Sequence, residues 1–256
     1  MSIDWRPFYD SIDSGAELGE AEPAGVPYII LGGGPSLSAV DANLFLELQP
    51  GCFLVGVNSA GYLFADVSLC YAGDIQWMER FSQDDRFSLD TKRVSHWQGI
   101  DGTSEDVSKG WHRLKPSNDG VLRWPKSLKD GIPGQDNRGL EAIMLADALG
   151  ASSIFLLGFD LHADIEPGKK NFHIEYPPSW QHEGRRYLNM LASFGLCLPS
   201  CGAPVYAATD IDGRRSALGD LVEHVPLSGF IRVVEERMNP EDVYVPRSDV
   251  REAPER

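Results

Sequence analysis

Basic residues are scarce in this chain. Lys and Arg total 23 against 38 Asp and Glu, a formal charge of -15 over 256 residues. A surface this acidic repels phosphate backbones, so a long nucleic-acid duplex is not an expected partner unless the few cations gather in one groove; a nucleotide-sized ligand stays compatible with it. Cysteine is scarce too. Cys52, Cys70, Cys197 and Cys201 are too few for a disulfide scaffold at this length, and Cys197-x-x-x-Cys201 has no second pair at zinc-finger spacing, so free buried thiols are expected. No stretch approaches the roughly 18 apolar residues of a membrane span, and the first residues, MSIDWRPFYDSIDSG, have neither a basic nor an apolar leader region. The expected location is the cytoplasm, with no membrane partner.

What is present is the composition of a folded globular chain, 42% hydrophobic and 24% charged, without internal repeats. Residues 1–25 form an acidic, turn-prone arm and residues 235–256 a charged, proline-punctuated tail. One domain is expected between them, over residues 26–234. Inside it, short apolar runs bounded by Gly and polar residues read as strands buried on both faces: Tyr28–Leu31, Cys52–Val57, Val67–Tyr71, Ile154–Leu157 and Val205–Ala207. Helical patterns lie between them. Ser38 to Asp41 has the form of a capping box ahead of Ala42–Leu48, Leu140 to Ala148 recur at helical spacing up to Gly150, and Tyr187 to Phe194 define another helix. Strands alternating with helices predict an α/β fold, a Rossmann-like doubly wound, mostly parallel sheet with an irregular middle insertion. In such sheets ligands bind at the carboxyl ends of the strands, so the residues just after each strand are the ones to examine.

After the first strand comes Gly32-Gly33-Gly34-Pro35-Ser36-Leu37. Its glycines allow close backbone approach, and amides at a helix start suit a phosphate or carboxylate; a structural tight turn is the other reading. The segment is neither G-x-G-x-x-G nor a P-loop, and the chain has no G-x-S-x-G elbow, H-E-x-x-H or kinase signature. Asn58-Ser59 follow the second strand, where an amide could read a base edge or ribose, or simply form a turn. Asp74 follows the third strand and could hold a ribose hydroxyl or a metal, or cap the helix from Ile75. Asn137-Arg138-Gly139 open a helix, a phosphate site or an N-cap with an exposed Arg. After the fourth strand, Gly158-Phe159-Asp160 places a carboxylate at the same edge, for a ligand or for neighbouring loop amides.

No metal site is expected; Asp160, His162 and Asp164, a short acid–histidine fragment, are with Asp74 the residues a metal ion would take. His182, ahead of the helix through Leu188, could act as a general base or remain a solvated histidine. Trp77, Trp97, Trp111 and Trp124 lie mostly in the middle insertion and could wall a pocket or fill a core.

Together, Ile29 to Leu37, Val57-Asn58, Arg138-Gly139 and Phe155 to Asp160 resemble the bacterial sialyltransferases of glycosyltransferase family 42. They also resemble related phage proteins and the archaeal 6-hydroxymethylpterin diphosphokinases. The resemblance spans about 200 residues, loosely between Arg80 and Gly134. It implies a nucleotide donor, cytidine monophosphate-linked in the sialyltransferases, held by Gly33, Gly34, Pro35 and Ser36, with Asn58 on its base or ribose. Asn137, Arg138 and Gly139 fall near the donor phosphate, and His182 at the position of the catalytic histidine. The family's tyrosine pair has no clear counterpart, although Tyr176 and Tyr187 lie nearby. Gly33 stands where the sialyltransferases often have Asn, and the family's basic C-terminal anchor is missing from this acidic tail.

The expected activity is a transferase using a nucleotide sugar as donor and a hydroxyl acceptor: a glycan or, were the chain phage-encoded and working in host cytoplasm, a hydroxymethylated base. The alternatives are a Mg²⁺-dependent diphosphate transfer from ATP to a hydroxymethyl heterocycle, with Asp74 and Asp160 as ligands, and a non-catalytic nucleotide-binding protein. Monomer and homo-oligomer both remain open.

Overall fold

The structure, a computed structural model, describes residues 25–48, 51–63, 67–81, 91–95, 111–114, 123–126, 130–133, 137–162, 184–209 and 213–238. Among the described residues its frame is one sheet of eight strands, all parallel. They are β1 Pro27–Leu31, β2 Phe53–Val57, β3 Leu69–Ala72, β4 Lys92–Ser95, β5 Trp111–Arg113, β6 Ser153–Leu157, β7 Val205–Ala208 and β8 Glu223–Val225. The helices are α1 Asn43–Leu48, α2 Ala60–Leu63, α3 Ile75–Phe81, α4 Arg138–Ala148, α5 Gly184–Cys197 and α6 Phe230–Arg237.

The strands stand in the order β5-β4-β3-β2-β1-β6-β7-β8. The chain starts in the middle, winds outward through β2 to β5, then returns to the other side of β1 with β6. The switch point is therefore the β1–β6 pair, in register from Pro27↔Ser153 to Leu31↔Leu157.

Alternation along the strands divides the core into two layers. Tyr28, Ile30, Phe53, Val55, Ile154 and Leu156 pack on one face with Leu140, Ile143 and Met144 of α4 and Phe194 of α5. Ile29, Leu31, Leu54, Phe155 and Leu157 pack on the other with Phe45 of α1 and Phe230 and Val234 of α6. With both faces covered, β1, β2, β3 and β6 are buried throughout, which is why they read as unbroken apolar runs. The expected α/β, doubly wound sheet is what the chain forms.

The departures are local. Ser38 does not cap a helix: its hydroxyl donates to Pro35 O at 2.7 Å inside a 3-10 turn over Pro35–Ala39. Asp41 takes the capping role instead, accepting the Asn43 N–H at 3.0 Å. Trp111 of the middle insertion lies in β5, and with Tyr62, Trp77 and Phe81 it fills a third buried cluster. Trp97 lies outside the described residues. Trp124 donates to Asp147 at 2.6 Å. None of the four cysteines is in a disulfide, three of them are buried, and burial pushes the Cys52 thiol up to about 12. Helix α6 runs on to Arg237, and no described helix is long and apolar enough to cross a membrane.

Candidate functional site

The turn after β1 does not end the pairing with β6. Gly32 N–H donates to Leu157 O and Gly34 N–H to Gly158 O, both at 2.7 Å, so the ladder continues past the strand ends. A Cβ on Gly34 would stand 2.6 Å from Gly158 O and overlap the Asp160 carboxylate, and Gly158 itself has φ +77°. Glycine is required on both sides of this contact. The chain then enters the 3-10 turn with Pro35 at its head, which makes Ser36 N–H the first amide seeking a partner. Asp160 supplies it. Its Oδ2 accepts from both Ser36 N–H and Ser36 Oγ, each at 3.0 Å, while Ser36 Oγ accepts from Gly158 N–H at 3.1 Å. Ser36 and Asp160 are 2% and 3% exposed, so both polar groups of Ser36 are satisfied inside the protein. Gly33 is the half-buried member of the turn.

At the end of β2, Asn58 adopts φ +52°, a left-handed conformation that Asn tolerates better than most residues. Its backbone is committed, with N–H to Tyr71 O and C=O accepting from Gly61 N–H, both at 2.9 Å. Its side-chain Oδ1 is buried and meets no donor among the described residues. A buried acceptor left in this state costs free energy until something donates to it. Ser59 points inward: it is buried, and its Oγ accepts from Trp77 Nε1 at 3.0 Å. At the end of β3, Asp74 caps α3, accepting Trp77 N–H at 3.1 Å.

Helix α4 brings a charged group to this edge. Asn137 is its N-cap, accepting Leu140 N–H at 3.2 Å and donating to Met190 O of α5 at 3.4 Å. Gly139 leaves room for Phe159, whose Cε1 would lie 2.6 Å from an added Cβ. Arg138 Nη1 donates to both carboxylate oxygens of Glu141, at 2.7 and 2.9 Å, and Tyr71 OH of β3 donates to Glu141 Oε2 at 3.1 Å. Glu141 is completely buried, whereas the Arg138 side chain keeps 16% exposure. Burial alone would lower the Arg138 pKa; the attraction of Glu141, Tyr71 and Asp74 outweighs it and holds the guanidinium charged. Glu141 is a site residue that sequence reasoning missed. The available signal was its i, i+3 spacing from Arg138.

Asp160 is a second buried carboxylate among the described residues. Burial raises its pKa above the usual carboxylate range, with the Ser36 donors and His162 pulling the other way. Its field in turn contributes, after burial, to pushing the Tyr187 hydroxyl of α5 up to about 12. His162 is 7% exposed, and between it and Asp160 stands Leu161 at φ +53°. His182, Asp164 and Tyr176 lie outside the described residues. Among the described residues, no group of three His, Cys, Asp or Glu side chains is placed to hold a metal ion.

The described candidates thus fall along one edge. Gly32 to Ser36, Asn58-Ser59, Asp74 and Asp160 follow the adjacent strands β1, β2, β3 and β6, and the Arg138 end of α4 joins them at β3 through Tyr71. This defines an α/β protein of the doubly wound, Rossmann-like class with a glycine-rich turn at its switch point. No family model and no curated protein matches the chain. Among solved structures, it is similar to the MAf glycosyltransferase from Magnetospirillum magneticum AMB-1, with a TM-score of 0.48 and 14% identity over 86% of this chain and 38% of that one. The chain therefore spans well under half the length of that protein.

Proposed function

We propose that the chain is a transferase that binds a nucleotide-activated donor along this edge and moves its group, a sugar in the reading favoured here, to a hydroxyl acceptor. The observation that supports it is the convergence of candidate residues from four contiguous strands, β3-β2-β1-β6. Three strand spacings span about 15 Å, a width that suits a nucleotide-sized ligand. In this reading the turn at Gly33 and the open Asn58 amide meet the neutral part of the donor. Arg138, held charged by Glu141, faces its phosphate and stabilises the negative charge that develops as the nucleotide leaves. His182, two residues ahead of α5, takes the proton of the acceptor hydroxyl. The attacking oxygen forms the new bond to the sugar as the bond to the phosphate oxygen breaks, and the nucleotide departs with that electron pair.

A second reading keeps some support from the charges near Arg138. Glu141 and Asp74 both act on it, so a polyphosphate there would be helped by a divalent cation, as in Mg²⁺-dependent diphosphate transfer from ATP. Asp160 does not fit as its ligand, because it is buried and its Oδ2 already takes two Ser36 donors. Asp74, half-buried, is the carboxylate left for that role.

Thermal-shift screening against nucleotides and nucleotide sugars, with and without Mg²⁺, separates the two, because a ligand that binds only the folded state raises Tm. A shift with a nucleotide sugar in chelator supports sugar transfer. A shift with ATP only when Mg²⁺ is present supports diphosphate transfer, and no shift with any nucleotide contradicts both.

A further inference from the structure

We infer that Asp160 is a positioning residue: its carboxylate oxygen fixes the Gly32–Ser36 turn before any ligand arrives, and its negative charge is not what the site uses. The ligand-positioning half of this inference rests on the proposed function; the claim about the turn does not.

Three independent features carry it. First, both Ser36 donors converge on the same atom, Oδ2 of Asp160. A carboxamide oxygen accepts two donors equally well, so the arrangement requires an acceptor and not a charge. Second, the turn is tied to the loop after β6 by further bonds, Gly34 N–H to Gly158 O and Gly158 N–H to Ser36 Oγ. Asp160 closes this set across 124 residues of sequence, where the short helical turn has no side-chain cap of its own. Third, the chain accepts strain to put Asp160 there. Leu161, the next residue, sits at φ +53°, a conformation that costs a leucine about 1–2 kcal/mol. The segment is pinned from another loop, with Ala217 N–H donating to Asp160 O at 2.9 Å and Ser216 Oγ donating to Phe159 O. Strain held by several surrounding bonds is a feature of sites whose geometry is set in advance.

The consequence concerns the ligand. The Ser36 amide is already taken by the Asp160 carboxylate, so the turn needs no anionic ligand to satisfy it. In the proposed function the part of a ligand lying over Gly33 is the uncharged, hydroxyl-bearing part, and its anionic part lies toward Arg138.

Asp160→Asn, Asp160→Ala and Ser36→Ala in the full chain test this with two readouts. The first, amide hydrogen exchange at Ser36, needs no ligand. It should be protected in the unaltered chain and in Asp160→Asn, and at least about tenfold faster in Asp160→Ala, which removes the acceptor. The second is the Kd for cytidine monophosphate. It should stay within about twofold in Asp160→Asn and weaken about tenfold in Asp160→Ala, with Ser36→Ala weakening it in the same direction. Rescue by Asn separates positioning from charge. Should Asp160→Ala fail to fold, Ser36→Ala and Asp160→Asn still decide. Loss of affinity in Asp160→Asn as large as in Asp160→Ala overturns the inference, as does a marked gain, which would place a phosphate against the carboxylate. Ser36 exchange that is unchanged in Asp160→Ala also overturns it. If the exchange result holds and the unaltered chain binds no nucleotide of a wider panel, the proposed function fails and the preset turn stands.

Discussion

Two buried carboxylates stand at the same sheet edge and are held in opposite ways. Glu141, on the β3 side, meets a cation: Arg138 binds both its oxygens, and Tyr71 adds a hydroxyl. Asp160, at the β1–β6 switch point, meets neutral donors from Ser36. In the first case the charge is what the partner requires, and removing it strands a guanidinium in a low-dielectric setting. In the second the charge is a burden that desolvation registers as a raised pKa, while the oxygen does the structural work. In the proposed function, the Arg138 end meets the donor's phosphate and the Ser36–Asp160 end its uncharged part.

The comparison can be broken or sharpened by substitution. The largest effect is expected for Glu141→Ala, which leaves Arg138 without its counter-charge and should lower the unfolding free energy by about 3–5 kcal/mol; chemical denaturation measures it. Next is Asp160→Ala, which orphans two buried donors and should cost about 2–4 kcal/mol. Tyr71→Phe removes one hydrogen bond to Glu141 and should cost about 1 kcal/mol. Smallest is Asp160→Asn, within about 0.5 kcal/mol of the unaltered chain near the unfolded carboxyl pKa. A loss for Asp160→Asn matching that of Glu141→Ala would erase the distinction.

The pH dependence sharpens it further. The pKa of Asp160 is raised in the folded state from the ordinary 3.8, so between those values the folded chain holds more protons than the unfolded one. Its contribution therefore makes stability fall as pH rises through that window, with the lower level persisting above it. Asp160→Asn should remove that component of the slope. Comparing denaturation midpoints of the two chains from pH 4 upward reads the difference, and a difference that grows in the opposite sense would contradict the desolvation account.

How legible all this was in the sequence follows from where each element's information lies. Strands β1, β2, β3, β6 and β7 were readable because burial on both faces writes them as continuous apolar runs. Strands β4 and β5 on one flank and β8 at the other edge were not, because LysArgValSer, TrpHisArg and GluHisVal are short and carry polar residues that propensity assigns to loops. The glycine-rich turn and the Gly158–Asp160 segment were legible as edge motifs. That one saturates the other was not, since the bond joins residues 124 apart and leaves no local trace. Glu141 was hidden for a related reason: in an amphipathic helix an acidic residue reads as solvated, and only the fold places Tyr71 and Arg138 around it. Asn137 and Asp74 followed their ordinary capping chemistry, which the residue types had offered as one of two readings.

The most direct test of the central claim is calorimetric titration of nucleotides and nucleotide sugars into the unaltered chain and into Asn58→Gly. This substitution keeps the left-handed backbone at that position and deletes the amide whose Oδ1 meets no donor among the described residues. Saturable binding by the unaltered chain, weakened about tenfold in Asn58→Gly, is the predicted result. Absence of nucleotide binding, or binding that Asn58→Gly leaves unchanged, would contradict a donor site along this edge.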